Sequence, residues 1–208
     1  LKASSGALFL QDKNQKTHNI LGASPQALWR FGIGRTFQIP ATFYSFTLLE
    51  NVQIALMSHH KQWFQFWRSA SPLHHQQALD LLAQVGLAAY AQTPCQELSY
   101  GDNKRLELAI ALAHQPCLLL MDEPTAGMPS TERQALMQLT KQLAHEQNIG
   151  VLFTEHSMDV VFDFADKIIV LARGQVIASG SPSYIQNHQL VQEVYFGKKM
   201  TQQLQQHS

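Results

Sequence analysis

Leu118-Leu119-Leu120-Met121-Asp122-Glu123 sets two adjacent carboxylates directly after an unbroken apolar run of strand length. A strand apolar on both sides belongs in the middle of a parallel sheet covered by helices. Its carboxylates then lie at the carboxyl edge of that sheet, the edge where such folds bind ligands. There one carboxylate can hold Mg2+, directly or through water, while the next reaches a water aligned on a phosphate. The plainer alternative is a strand that stops at a solvated acidic turn, because the pattern is loose.

Leu98-Ser99-Tyr100-Gly101-Asp102 opens a helical pattern in which Leu106, Ala109, Ile110 and Ala113 face the core. Ser99 is a good N-cap, and Gly101 keeps side-chain bulk away from the first turn. Free backbone N–H groups and the positive dipole end make such a start an anion site; an ordinary capped helix is the alternative. His156 stands just after the apolar stretch 151–154, where an imidazole could touch the same phosphate, although a lone His is usually structural. Gln38, closing Gly34-Arg35-Thr36-Phe37-Gln38, offers an amide oxygen to a metal or water. Taken singly, these last two decide nothing.

The elements that must position these residues follow from periodicity. After the run at 117–121, Ser130 or Thr131 caps a helical pattern with Leu136, Leu139 and Leu143 on one face. Residues 150–154 read as a second buried strand, 158–164 as a short helix and 167–171 as a third strand. Alternating strands and helices imply right-handed crossovers and one parallel sheet. Ala172-Arg173-Gly174 then turns into an antiparallel edge hairpin through Ala178. From 48 to 114 the period is helical, with Ala78, Leu81, Leu82 and Val85 on one face. The division expected is 1–40 as sheet core, 41–115 as an inserted helical subdomain, 116–182 as sheet core, and 183–208 as a Gln-rich, partly helical tail.

Composition bounds the function. The 208 residues carry 15 basic and 15 acidic side chains, and this balance argues against a nucleic-acid surface. Cys95 and Cys117 show no CxxC or zinc spacing, so a disulfide scaffold is excluded and a reducing compartment expected. No apolar run approaches the roughly 18 residues that span a bilayer. His59-His60 and His74-His75 point apart on a helix and lack a third ligand, so neither pair makes a metal site. Trp63-Phe64-Gln65-Phe66-Trp67 packs four aromatics into five residues, which serve either a helical core or an interface.

The order of these pieces carries more than any one of them. Gln38, then LSYGD, then LLLMDEPTAG, then His156 resembles the motif order of ATP-binding-cassette (ABC) ATPases, over essentially the whole chain. GIGRTFQ, Thr47-Leu48-Leu49-Glu50-Asn51-Val52, LSYGD, DEPTAGM and the late EVYFG look most like the ATP-binding subunits of bacterial branched-chain amino-acid importers. The resemblance implies an α/β P-loop NTPase core with an inserted helical subdomain, and ATP with Mg2+ as ligands. It implies that Asp122 coordinates Mg2+, Glu123 polarises the attacking water and His156 senses the γ-phosphate. Gln38 would bind the Mg2+ shell and link the site to the membrane subunits. Ser99, Tyr100 and Gly101 would meet ATP held by a second ATPase subunit, in a homo- or heterodimer. Transmembrane permeases, with a periplasmic binding protein acting through them, would complete the assembly on the cytoplasmic face of the inner membrane. Urea import, lipopolysaccharide export and a non-catalytic remnant are the rival readings.

Two departures stand out. Pro129 occupies the place where many family members carry an Asp. No GxxxxGK[ST] loop occurs: its first glycine would fall at Trp29 or at Gln192 in the two nearest candidates. Residues 1–10 look like the piece that follows such a loop, so the expectation is an N-terminally truncated cassette that is inactive alone.

Overall fold

The computed structural model describes Ala3 and residues 5–36, 42–59 and 74–196. Contacts divide the chain into two compact units, Leu1–Glu155 and His156–Ser208.

The first unit begins with a hairpin of β1 (Phe9–Gln11) and β2 (Thr17–Asn19), followed by α1 (Pro25–Arg30) and β3 (Ile33–Arg35). Next come α2 (Leu48–His59), α3 (His75–Gln84) and α4 (Tyr100–Leu112). The unit closes with β4 (Leu118–Asp122), α5 (Ser130–Glu146) and β5 (Gly150–Thr154). β4 lies between β3 and β5, parallel to both, as its apolar run predicts. The register sets Asp122 beside Thr154.

One face of this sheet, through Leu119 and Met121 with Val151 and Phe153, joins the main core under α2, α3 and α4. Ala78, Leu82 and Val85 of the expected α3 face are buried in it. On the other face, Leu118 and Leu120 pack with Leu10, Ile20 and Ile33 in a smaller cluster. His114 sits at the end of the α4 segment, buried, its ring stacked 5.4 Å from that of Trp29. Gly34 permits this seat, because a Cβ there would lie 3.2 Å from the imidazole.

The second unit holds α6 (Met158–Phe164), β6 (Ile168–Ala172), β7 (Gln175–Gly180), α7 (Pro182–Gln186) and α8 (Gln189–Val191). Arg173 and Gly174, at φ 50° and 76°, form the two-residue turn that joins β6 to β7. Two left-handed residues match the twist of an antiparallel hairpin. Ile168, Val170, Ala178, Ile185 and Val191 make its core.

β6 pairs antiparallel with β7, as the expected hairpin requires. Two expectations need correction. β5 is not a buried strand: among the described residues only β4 is hydrogen-bonded to it, and Leu152 is 57% exposed. The N-cap of α5 is Pro129, not Ser130 or Thr131, with no side-chain capping bond. Pro129 has extended ψ, and Ser130 already begins the helix. Gln38, Trp63, Trp67, His60 and the tail from 197 onward lie outside the described residues.

Candidate functional site

β4 delivers Asp122 and Glu123 to the carboxyl end of the parallel sheet, where the chain turns sharply. Glu123 adopts φ 45°, a left-handed backbone that a side chain with a Cβ rarely takes. Its N–H donates to the Thr154 carbonyl at 3.0 Å and to Thr154 Oγ at 3.2 Å. The same hydroxyl donates to Asp122 Oδ1 at 2.7 Å. Asp122 Oδ2 lies 4.0 Å from an Arg35 guanidinium nitrogen, both side chains being more than half exposed, so this ion pair contributes little. Two residues after Glu123, Thr125 is buried, and its N–H and Oγ both donate to Glu155 Oε1, at 3.0 and 2.6 Å.

The Asp122 carboxylate is open to solvent and of the hard oxygen type that Mg2+ prefers. Among the described residues, no group of three or more His, Cys, Asp or Glu could hold a metal ion by itself. One carboxylate, with water and phosphate oxygens completing the shell, is the pattern that Mg2+ takes at phosphoryl-transfer sites. The residues fit that ion.

The start of α4 is a second polar centre. Ser99 is its N-cap: Ser99 Oγ accepts from the Asp102 N–H at 3.1 Å and donates to Asp102 Oδ2 at 2.9 Å. The serine hydroxyl is therefore already engaged by a carboxylate in the first turn. Ser99, Gly101, Asp102, Arg105, Met128 and Glu132 line a pocket of about 180 Å³. A Cβ on Gly101 would lie 2.6 Å from Glu132 Oε2, so the absence of a side chain lets the Glu132 carboxylate lie against this helix start. Tyr100 is half exposed, and its hydroxyl is pushed up by partial burial and by the charge of Glu107.

The structure thus gathers Asp122 and Glu123 at one corner and Ser99 and Gly101 in one pocket, with Tyr100 beside it. His156 opens the second unit and is exposed. Sequence reasoning missed Thr154 and Glu155, which hold the acidic corner, and Glu132, which closes on Gly101. Thr154 was within reach, because a parallel β4–β5 pair in register sets it opposite Asp122.

The ABC transporter family profile matches residues 1–126. High-affinity branched-chain amino acid transport ATP-binding protein LivG of Escherichia coli K12 is 31% identical over 204 residues, 95% of this chain and 78% of LivG. The chain belongs to the ABC transporter ATP-binding family. Solved ABC cassettes share its fold. The ADP conformation of an ATP-binding cassette of an ABC transporter superposes with TM-score 0.79 at 28% identity, covering 95% of this chain and 79% of that one. A dimeric post-hydrolysis cassette bound to ADP and Pi gives TM-score 0.67 at 27% identity, over 87% and 75%. The α/β cassette expected from the motif order is therefore the observed ABC fold, and the chain is by family a transport-coupled ATPase subunit. Among the described residues, no helix is long and apolar enough to cross a membrane.

Proposed function

We propose that this chain energises the import of branched-chain amino acids, as one half of an ATPase dimer. The dimer docks on transmembrane permeases at the cytoplasmic face of the inner membrane, and a periplasmic binding protein supplies the substrate. The acidic corner carries the catalytic reading: Asp122 and Glu123 end a central parallel strand, with the Glu123 N–H fixed by Thr154. The amino-acid class is supported by the likeness to LivG across most of both chains.

In this reading Asp122 and Gln38 hold Mg2+, whose charge offsets that of the phosphate oxygens. Glu123 orients the attacking water and takes up its proton, and His156 stabilises the γ-phosphate. Ser99 and Gly101, with Tyr100 beside them, meet the ATP of the partner subunit, the Ser99 hydroxyl turning from Asp102 to phosphate. The remaining work is positioning and electrostatics, which phosphoryl transfer chiefly needs. The segments 1–40 and 116–182 form the nucleotide-binding core, 41–115 the helical subdomain bearing the signature, and 183–208 the tail.

Glu123→Gln tests this in the protein expressed from its whole reading frame and assembled with its permeases. Turnover should fall by about a hundredfold or more while ATP binding persists and an ATP-bound dimer accumulates. Hydrolysis at the wild-type rate would remove Glu123 from the chemistry.

A further inference from the structure

The end of β5 grips the acidic corner at both ends, through Thr154 and through Glu155. Thr154 fixes the first half, accepting from the Glu123 N–H and donating to Asp122. Glu155 fixes the second: a single oxygen, Oε1, accepts from both the N–H and the hydroxyl of Thr125, at 3.0 and 2.6 Å. Thr125 is only 1% exposed, and Glu155 is half-buried beside it. Between the two grips lie only Glu123, in its left-handed conformation, and Pro124, whose ring fixes its own φ. A left-handed non-glycine residue persists only where its surroundings over-determine it.

We infer that Glu155 is a positioning residue for hydrolysis: by chelating Thr125, it holds the backbone that aims the Glu123 carboxylate. This rests on the proposed role of Glu123 in activating water. The effect should appear in turnover rather than in nucleotide affinity, because the bonds of Glu155 to Thr125 hold the turn that carries Glu123. It should also depend on geometry rather than on charge. The amide oxygen of a glutamine can accept the same two bonds, whereas alanine can accept neither.

The experiment compares Glu155→Ala, Glu155→Gln and Thr125→Val with wild type and Glu123→Gln, in the transporter expressed from the whole reading frame. ATPase kinetics are read together with amide hydrogen exchange. Glu155→Ala should lower kcat about tenfold or more, with KM for ATP within about threefold, while Glu155→Gln stays within about threefold of wild type. Exchange at the Glu123 and Thr125 amides should accelerate in the alanine variant alone. Thr125→Val removes only the hydroxyl donor and serves if Glu155→Ala fails to fold; it should give a smaller loss of kcat at unchanged KM. Wild-type kcat in Glu155→Ala, or in Thr125→Val where that variant stands in, overturns the inference. So does a loss spread equally into KM, or a glutamine that fails to rescue. If instead the wild type does not hydrolyse ATP, or Glu123→Gln does so at full rate, the proposed function itself falls.

Discussion

His114 shows how one buried side chain ties stability to pH. Its Nε2 has no hydrogen-bond partner, and the ring lies against Trp29. Burial pushes the imidazole down to about 4; a hydrogen bond with the Ile33 backbone pulls weakly the other way, and His59 and Lys13 add a little positive charge. An unfolded histidine binds its proton near pH 6.5. Between about 6.5 and about 4, the unfolded chain therefore holds a proton that the folded chain refuses. The stability due to the neutral ring is complete above pH 6.5 and drains away as pH falls toward 4, on the order of 3 kcal/mol in all. Urea midpoints measured from pH 7.5 to 5 should fall in the wild type and stay flatter in His114→Gln. Equal slopes would show that this histidine does not set the pH response.

At the scale of elements, α4 departs most from an amphipathic pattern. Leu106, Leu108, Ala109, Ala111 and Leu112 are all buried, so apolar contacts surround the helix. Lys104 and Glu107 are buried with them, Nζ to Oε2 3.2 Å. Removing one charge of a buried pair costs far more than removing both, because the survivor stays out of water. Lys104→Met should therefore cost about 3 kcal/mol in denaturant unfolding, and the double change with Glu107→Leu should recover most of it. If the double variant loses as much as the sum of the singles, the two charges do not depend on each other. Neither residue stands out in the sequence, where a Lys and a Glu three apart read as a solvated helix face. The acidic corner was legible because apolar run, Asp and Glu are contiguous. Its clamp was not: Glu155 lies thirty residues from Thr125, and no local periodicity signals a bond across that distance.

For the molecule as a whole, the phosphate contacts matter most. No GxxxxGK[ST] string occurs in the 208 residues, and such a loop with its lysine supplies most of the ligation of β- and γ-phosphates. Asp122 and Glu123 repel nucleotide unless a cation intervenes. Residues 1–208 alone should therefore bind Mg-ATP with a Kd weaker than roughly 1 mM, as losing even about 3 kcal/mol costs more than a hundredfold. Calorimetric titration decides this, and micromolar binding would reveal a phosphate site of another kind. Element types and order were readable from periodicity, and the exposure of Leu152 on β5 was not. A short apolar run fits a covered strand or a half-covered one, and contacts between distant segments decide which.

Under the proposed role of Glu123, its left-handed backbone sets folding against chemistry at one position. Glycine takes φ 45° freely, whereas any residue with a Cβ pays about 1 kcal/mol there. Glu123→Gly should thus exceed Glu123→Ala in stability by about 1 kcal/mol, read from their urea midpoints, although both lack the carboxylate. The reverse order would mean that the turn is relaxed. Were selection on turnover lifted, drift at this codon should favour glycine, so that a lineage no longer hydrolysing ATP would come to fold slightly better than its working ancestors.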